Sequence, residues 1–83
     1  MPANHLVYDG SCGFGGFGQG VYIQNNDASH AYRVTVKATV NDVHISYLTR
    51  YVNAGERQNI GCTQGPGNPP DRHDYEITGE VRA

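Results

Sequence analysis

Basic residues are few in this sequence, and they form no cluster. Six Lys and Arg residues are spread over 83 positions, and the formal net charge is −2. Proteins that bind nucleic acid need a basic patch that neutralises phosphates, and this chain has no such patch in its sequence. We therefore expect no nucleic-acid partner.

Long apolar runs are also absent from the sequence. No stretch approaches the roughly 18 apolar residues of a membrane-spanning helix, so we expect no membrane insertion. The first residues, Met-Pro-Ala-Asn-His, lack the basic and then apolar order of a signal peptide. Either the protein is not exported by that route or a signal has been removed, so the compartment stays open.

Cysteine is scarce, with only Cys12 and Cys62 in the chain. A domain this small buries only about 60% of the surface that its unfolded chain exposes, so a covalent link would help it fold. A disulfide closing a loop of roughly fifty residues is worth roughly 4 kcal/mol in the chain-entropy model. We predict a Cys12–Cys62 bridge. It would favour an oxidising, extracytoplasmic setting (cell surface or periplasm) or a virion, whereas two free thiols would indicate a reducing compartment.

Apolar and polar residues alternate without interruption over residues 31–40. Apolar residues fall on every second position there, and this period of two is typical of a strand with one buried face. The residues on the apolar parity are Tyr32, Val34, Val36, Ala38 and Val40. We predict that this segment is the central strand of a sheet.

Five other segments have weaker strand patterns, namely 5–8, 20–25, 43–52, 57–62 and 74–82. In 43–52 the alternation breaks at Leu48, so either a bulge near Tyr47 and Leu48 restores it or the strand is apolar on both faces. Short strands at this spacing, with no helical pattern, predict one all-β domain over 1–83. The expected fold is a small β-sandwich of six or seven antiparallel strands, or a partly closed barrel.

Parity further predicts which side chains face the core. The predicted inward residues outside the central strand are Val21, Ile23, Gln58, Ile60, Cys62, Tyr75, Ile77, Gly79 and Val81. Arg33 and Lys37 then face outward on the central strand, as Glu76 and Glu80 do on the last strand. If these two strands are antiparallel neighbours, as we predict, the four residues form two cross-strand charge pairs.

Two stretches have loop composition. Residues 9–20 contain six of the eleven glycines and both phenylalanines, and 63–71 is rich in Pro and Gly. Phe14 and Phe17 either fold back to cap the core or project and bind a partner, since free phenylalanines on a loop favour aggregation. Together with the outward Tyr22, these two residues are the predicted partner-binding site.

No motif in the sequence predicts catalysis, a metal or a cofactor. Gly13-x-Gly15-x-x-Gly18 matches the dinucleotide fingerprint, but that motif works only ahead of a helix, and none is predicted. Cys12 has no histidine base nearby in the chain. The four histidines and Asp71 and Asp74 lack the spacing of zinc or calcium ligands. We predict no catalytic residue, no metal ligand and no cofactor.

The order of segments over residues 20–82 resembles bacterial immunoglobulin-like sandwich domains. A strand ends at Asn25, a Val-rich strand follows at 32–40, a turn reads Ala54-Gly55-Glu56, and Tyr75 opens a Tyr-x-Ile-x-Gly strand. The resemblance implies an immunoglobulin-like sandwich and an adhesive, structural or assembly role without chemistry. The sequence lacks tryptophan and Cys12 precedes the matched region, so an antibody-type disulfide across the sandwich is not implied.

Three functional hypotheses follow. The first is a non-enzymatic module for protein binding or self-assembly, which uses the Gly/Phe-rich stretch or an exposed edge strand. The second is a capsid decoration protein encoded by a phage or mobile element, or an inhibitor of a host system from the same source. The third is a small metal- or thiol-dependent enzyme, which stoichiometric zinc in the untagged protein would favour.

Overall fold

Six strands form two three-stranded antiparallel sheets. The computed structural model describes residues 2–65 and 69–83, and for Phe14 the backbone alone. The strands are β1 Asn4–Cys12, β2 Gly18–Asn25, β3 Tyr32–Val40, β4 His44–Val52, β5 Arg57–Cys62 and β6 His73–Arg82. A short 3-10 turn, Phe14–Gly16, links β1 to β2, and the described residues contain no α-helix. The predicted all-β class is confirmed, and the arrangement is compatible with a small sandwich.

The chain passes from one sheet to the other three times. The first sheet has the order β1-β2-β5 and the second has the order β4-β3-β6. Two hairpins, β1–β2 and β3–β4, supply two strands to each sheet, and β5 and β6 then add to β2 and β3. β3 therefore lies at the centre of its sheet, as the alternation over 31–40 predicts.

The core between the two sheets is small. Its fully buried apolar side chains are Val21, Ile23, Val34, Val36 and Val52. Partly buried side chains pack around them, namely Leu6, Tyr32, Leu48, Ile60, Tyr75 and Ile77. The inward parity predicted for β2 and β3 is confirmed. Full burial of such a side chain contributes about 1.5–3 kcal/mol, and only five side chains are fully buried. Polar and covalent links between the strands therefore add to the stability of this fold and help to fix how the strands are arranged.

β4 is apolar on both of its faces. Leu48 and Val52 point toward the core, whereas Ile45, Tyr47 and Tyr51 lie on the outer face. β3 and β4 pair over nine consecutive residue pairs without a register shift. The alternative of a bulge near Tyr47 and Leu48 is therefore wrong, and the alternative of a strand that is apolar on both faces is confirmed.

A bulge at Thr78 reverses the faces of β6 near its end. Val36 pairs with Ile77 and Thr35 with Gly79, so Thr78 is the extra residue. The inward prediction is correct for Ile77 but wrong for residues 79 and 81, which turn outward; position 81 is 69% exposed. Glu80 turns inward instead, because one inserted residue moves every later side chain to the other face.

The predicted adjacency of β3 and β6 is confirmed, but the predicted charge pairs are not. Lys37 lies opposite Glu76, yet this pair is absent from the ion pairs within the described ranges. Arg33 lies opposite Val81, because the bulge has carried Glu80 to the inner face. The second predicted pair is therefore wrong.

The glycine-rich stretch forms more strand than its composition predicts. β1 continues through Cys12 and β2 begins at Gly18, so the loop prediction is wrong for 9–12 and 18–20. Gly10, at a φ of 72°, is the extra residue of a bulge between Asp9 and Ser11. Glycine adopts this conformation without steric penalty, so it bends β1 without ending it.

The predicted disulfide is present and links the ends of β1 and β5. The Cα atoms of Cys12 and Cys62 lie 6.2 Å apart, although β2 separates these strands along the sheet. Their partners on β2 are Gly18 and Gly20, so the bond crosses β2 where it carries no side chain. A Cβ atom on Gly18 would lie 3.0 Å from the Cys62 sulfur. The Gln64 Cβ, at 2.7 Å, and the Cys12 carbonyl oxygen, at 2.9 Å, would lie closer still, so the bridge is one of three groups that leave no room for a side chain at this position.

Cys62 lies on the outer face of the first sheet, and its predicted inward orientation is wrong. Gln58 pairs with Ile23 on the inner face, but β5 then carries an extra residue at Ile60. Cys62 consequently lies opposite Gly20, on the same face as Tyr22.

Asn25 is a fully buried amide that holds two of the three connections between the sheets. Its Nδ2 donates to the carbonyl oxygens of His30, at 2.8 Å, and Asn53, at 3.1 Å. Its Oδ1 accepts from the backbone N–H of Asp27 at 2.9 Å. These three partners lie in the β2–β3 and β4–β5 connections, so one side chain fixes where the chain changes sheets.

Replacement of Asn25 by alanine is expected to destabilise the fold by about 3 kcal/mol. The change leaves three part-buried backbone groups without their side-chain partner, and such a loss costs about 1–3 kcal/mol per group at full burial. Urea denaturation of the oxidised protein measures the loss. Asn26→Ala is the matched control, because its side chain contacts only the exposed His5 ring, and it should stay close to wild type. Equal losses in the two variants would contradict the role assigned to Asn25.

Removal of the disulfide by a double Cys12→Ser and Cys62→Ser substitution should lower the free energy of unfolding by about 4 kcal/mol. The physical reason is the larger entropy of the unfolded chain once a loop of this length is open. Denaturant unfolding with and without reductant provides the comparison. Wild-type protein treated with reductant should match the double variant. Wild-type stability in both samples would show that the bridge contributes little.

Candidate interaction surface

Three apolar side chains form an exposed row on the outer face of β4. Ile45, Tyr47 and Tyr51 are 55%, 64% and 52% exposed, and they lie on the same face of one strand, with Thr49 between the two tyrosines. We call this row the β4 stripe. On the neighbouring strand β3, Lys37 lies opposite Tyr47 and Arg33 lies opposite Tyr51. The second sheet thus presents an apolar row at its edge, bordered by cations.

The backbone of β4 is open on the side away from β3. The Tyr51 carbonyl oxygen accepts from Gln58 Nε2 at 3.0 Å, and the Thr49 carbonyl oxygen accepts from the Arg50 guanidinium at 3.2 Å. Both carbonyl groups therefore point away from β3. Since this direction alternates along an antiparallel strand, the polar groups of Ile45 and Tyr47 point the same way. In the first half of β4, the edge offers these donors and acceptors to a further strand.

β4 also differs from the other edge strands of the described chain. β1, β5 and β6 each have a register shift against their neighbour, whereas β4 has none. Bulges are a common way to prevent an edge strand from pairing with another chain. β4 therefore has no bulge over its nine residues, and its edge is open at residues 44–48, ahead of the carbonyl groups that Arg50 and Gln58 occupy.

The predicted partner-binding residues lie on the first sheet and beside it. Phe17 is 86% exposed and does not cap the core. The side chain of Phe14 lies outside the described part of the chain. Tyr22 is half-buried, with the Arg57 guanidinium 4.6 Å from the centre of its ring, and Arg57 also binds Asp9 at 2.9 Å. Phe17 therefore offers more free apolar surface than Tyr22.

The β4 stripe and the predicted residues do not form one site, because they belong to different sheets. Reasoning from the sequence missed the stripe. The available signal was the presence of apolar residues on both parities of 43–52, since Leu48 and Val52 already fill the inner face. A strand that needs only one apolar face has no packing reason for Ile45, Tyr47 and Tyr51 on the other.

Asp27 organises the polar cluster at the start of the β2–β3 connection. Its carboxylate accepts from the Ser29 N–H at 2.9 Å, from the Tyr32 hydroxyl at 2.9 Å and from His30. The Ser29 hydrogen bond, followed by that of Tyr32, lowers the pKa of Asp27 to about 2. The same bond raises the pKa of Tyr32. The carboxylate of Asp27 therefore already accepts hydrogen bonds at both of its oxygens from residues 29–32.

A groove of about 510 Å³ separates the edges of β1 and β6. Its apolar lining includes Leu6, Tyr75 and Ile77. The Glu80 carboxylate accepts from the backbone N–H of Ala3 at 2.8 Å, and from the backbone and side chain of Asn4. These bonds tie the start of β1 to the end of β6, so one end of the groove is already closed.

Comparison with known proteins gives no family for this chain: it matches no protein-family model, no curated protein and no solved structure. Within residues 2–65 and 69–83, no helix has the length and apolar character needed to cross a bilayer. The same residues contain no group of three or more His, Cys, Asp and Glu side chains placed to hold a metal ion.

The lowered pKa of Asp27 predicts loss of stability in acid. Folding favours its ionised form, so its contribution is complete above the ordinary value of 3.8 and disappears as pH falls toward 2. Thermal melts at a series of pH values should show wild type losing its advantage over Asp27→Asn across that window. Asn26→Ala removes no charge, so its melting difference from wild type should not change there. A constant difference for Asp27→Asn would refute the linkage.

Proposed function

We propose that this chain is a non-enzymatic protein-binding module that docks through the β4 stripe. One observation carries the proposal: three large apolar side chains stand more than half exposed on an edge strand that has no bulge and is open in its first half. Exposed aromatic and aliphatic anchors of this kind supply much of the energy of protein interfaces. An apolar row bordered by charged residues is also typical of an interaction surface.

The chemistry of the remaining side chains supports a binding role. Cys12 and Cys62 are joined, so neither sulfur is a thiolate available for nucleophilic attack. The carboxylate of Asp27, which lies beside His30, is saturated by its own turn. The disulfide further supports an oxidising setting, such as a cell surface, periplasm or virion.

The order of strands supports the same proposal at the level of fold. Asn25 at the end of β2, the Val-rich β3 and the turn at Gly55 match the segments that resemble bacterial immunoglobulin-like domains. We propose that the two-sheet fold belongs to this type, whose members are mostly adhesive, structural or assembly modules. The structure adds that Asn25 and the turn at Gly55 meet, since the Asn25 N–H donates to the Glu56 carbonyl oxygen at 2.9 Å.

Photo-crosslinking from within the stripe tests the proposal. The photoreactive residue p-benzoylphenylalanine replaces Tyr47 in one protein and Glu76, on the outer face of β6, in a matched control. Both proteins are irradiated alone and in extract of the cells that produce the chain. We expect protein adducts from position 47 that are absent from position 76. Phe17 provides a third position, because it is the exposed residue of the surface predicted from the sequence.

Two results would overturn the proposal. One is the absence of any protein adduct from position 47 above the background at position 76. The other is adduct formation from position 17 alone, which would move the binding surface to the β1–β2 turn. Mass spectrometry of the adducts identifies the attached protein in each case.

A further inference from the structure

We infer that β4 pairs with β4 of a second copy of this chain, antiparallel about a two-fold axis. The second sheets of the two copies then join into one six-stranded sheet. This inference rests on the proposed function, because it names the partner that the β4 surface binds. Isologous pairing of this kind uses the same strand twice and closes as a dimer.

The open half of β4 determines where the two copies meet. Gln58 and Arg50 occupy the Tyr51 and Thr49 carbonyl groups, so the free edge lies at residues 44–48. A two-fold axis at Ser46 places Ile45 opposite Tyr47 of the second copy, and Tyr47 opposite Ile45. Both residues direct their N–H and C=O groups to the edge. Each pair can therefore exchange two backbone hydrogen bonds, as in an antiparallel ladder.

Charge favours a second copy as the occupant of this edge. Residues 44–48 read His-Ile-Ser-Tyr-Leu and contain no Lys, Arg, Asp or Glu. Pairing of two copies over these five residues therefore opposes no like charges, and the five residues themselves offer no charged group to select an acidic or basic peptide. Across the axis, Ile45 and Tyr47 form an aliphatic–aromatic cross-strand pair on the outer face. Such pairs stabilise antiparallel sheets.

The bordering cations favour edge pairing over face-to-face stacking. Arg33 and Lys37 stand beside Tyr51 and Tyr47 on the outer face. Stacking of two outer faces would remove these cations, together with Asp74 and Glu76 on β6, from water, and the desolvation of charged groups is costly. Edge-to-edge pairing leaves them solvated. It extends the sheet sideways and joins the two β4 stripes into one longer apolar surface.

Amide exchange and sedimentation test the pairing on the oxidised wild-type protein. Sedimentation velocity over a wide concentration range should show a reversible monomer–dimer equilibrium, because the open edge is short. As the dimer forms, the exchange rates of the Ile45 and Tyr47 amides should fall by at least about tenfold, since a newly hydrogen-bonded amide exchanges only when the pairing opens. The amides of Ser46 and Leu48 point to β3 and serve as internal controls that do not change with concentration.

Two variants separate the pairing from folding. Tyr47→Pro removes an N–H that faces the edge and leaves the β3–β4 ladder intact, as proline allows on an edge strand. It should abolish the dimer with little change in melting temperature. Should that variant fail to fold, Ile45→Lys combined with Tyr47→Lys opposes like charges across the axis and should also give a monomer. Thr39→Lys, on the outer face of β3, is the control that keeps the dimer.

The outcomes distinguish this inference from the proposed function. A monomer at all concentrations that still gives adducts with another protein from position 47 would overturn self-pairing and keep the binding module. A monomer without any adduct would overturn both. A dimer in which the Ile45 and Tyr47 amides stay unprotected would place the contact elsewhere, at Phe17 or at the groove between β1 and β6, and would overturn the β4 pairing.

Discussion

The carboxamide of Asn25 is the interaction on which the arrangement of the two sheets depends. It is fully buried, and its three hydrogen bonds end on backbone groups of two different connections. A buried amide is stable only when its partners are in place, so this geometry excludes alternative crossings of the chain. The positions of β3 and β5 follow, because each strand begins where one of these connections ends.

A small core makes such links important. Among the side chains that the structure describes, the fully buried apolar ones are four valines and one isoleucine, without an aromatic ring. Specificity comes from contacts around this core: the disulfide across Gly18 and Gly20, the Glu80 carboxylate on the start of β1, and the Gln58 bond between β5 and β4. Each of these contacts joins strands that the backbone ladders alone do not connect.

The central strand and its buried face were predictable because β3 itself carries no extra residue: its ladder with β4 is continuous, and the bulge in its ladder with β6 lies in β6. Alternation is a reliable guide while the register is continuous, and it fails after a bulge. The extra residues at Gly10, Ile60 and Thr78 are different residue types with no common local signal, so the orientations of Cys62 and Glu80 were not predictable. The same limit explains the glycine-rich stretch, where composition indicated a loop but glycine served the bulge and the close approach of the disulfide.

The candidate surface was less predictable than the fold, since the exposure of a strand depends on whether any other part of the protein packs against it. Apolar residues on both parities of 43–52 fit a strand buried on two sides as well as one with a binding face. The structure resolves this ambiguity, because β4 lies at an edge and its outer row is exposed.

The asymmetry within the second sheet is the stronger argument for a binding role. On the same outer face, β3 carries Arg33 and Lys37 and β6 carries Asp74 and Glu76, whereas β4 carries no charge. Strand propensity alone does not explain this difference, because threonine also favours strands, and β3 uses it on its outer face at Thr35 and Thr39. The three other edge strands carry a bulge, and β4, which has the row of apolar side chains on its outer face, does not. A straight backbone edge and an apolar row on the same strand are the two features that strand addition requires.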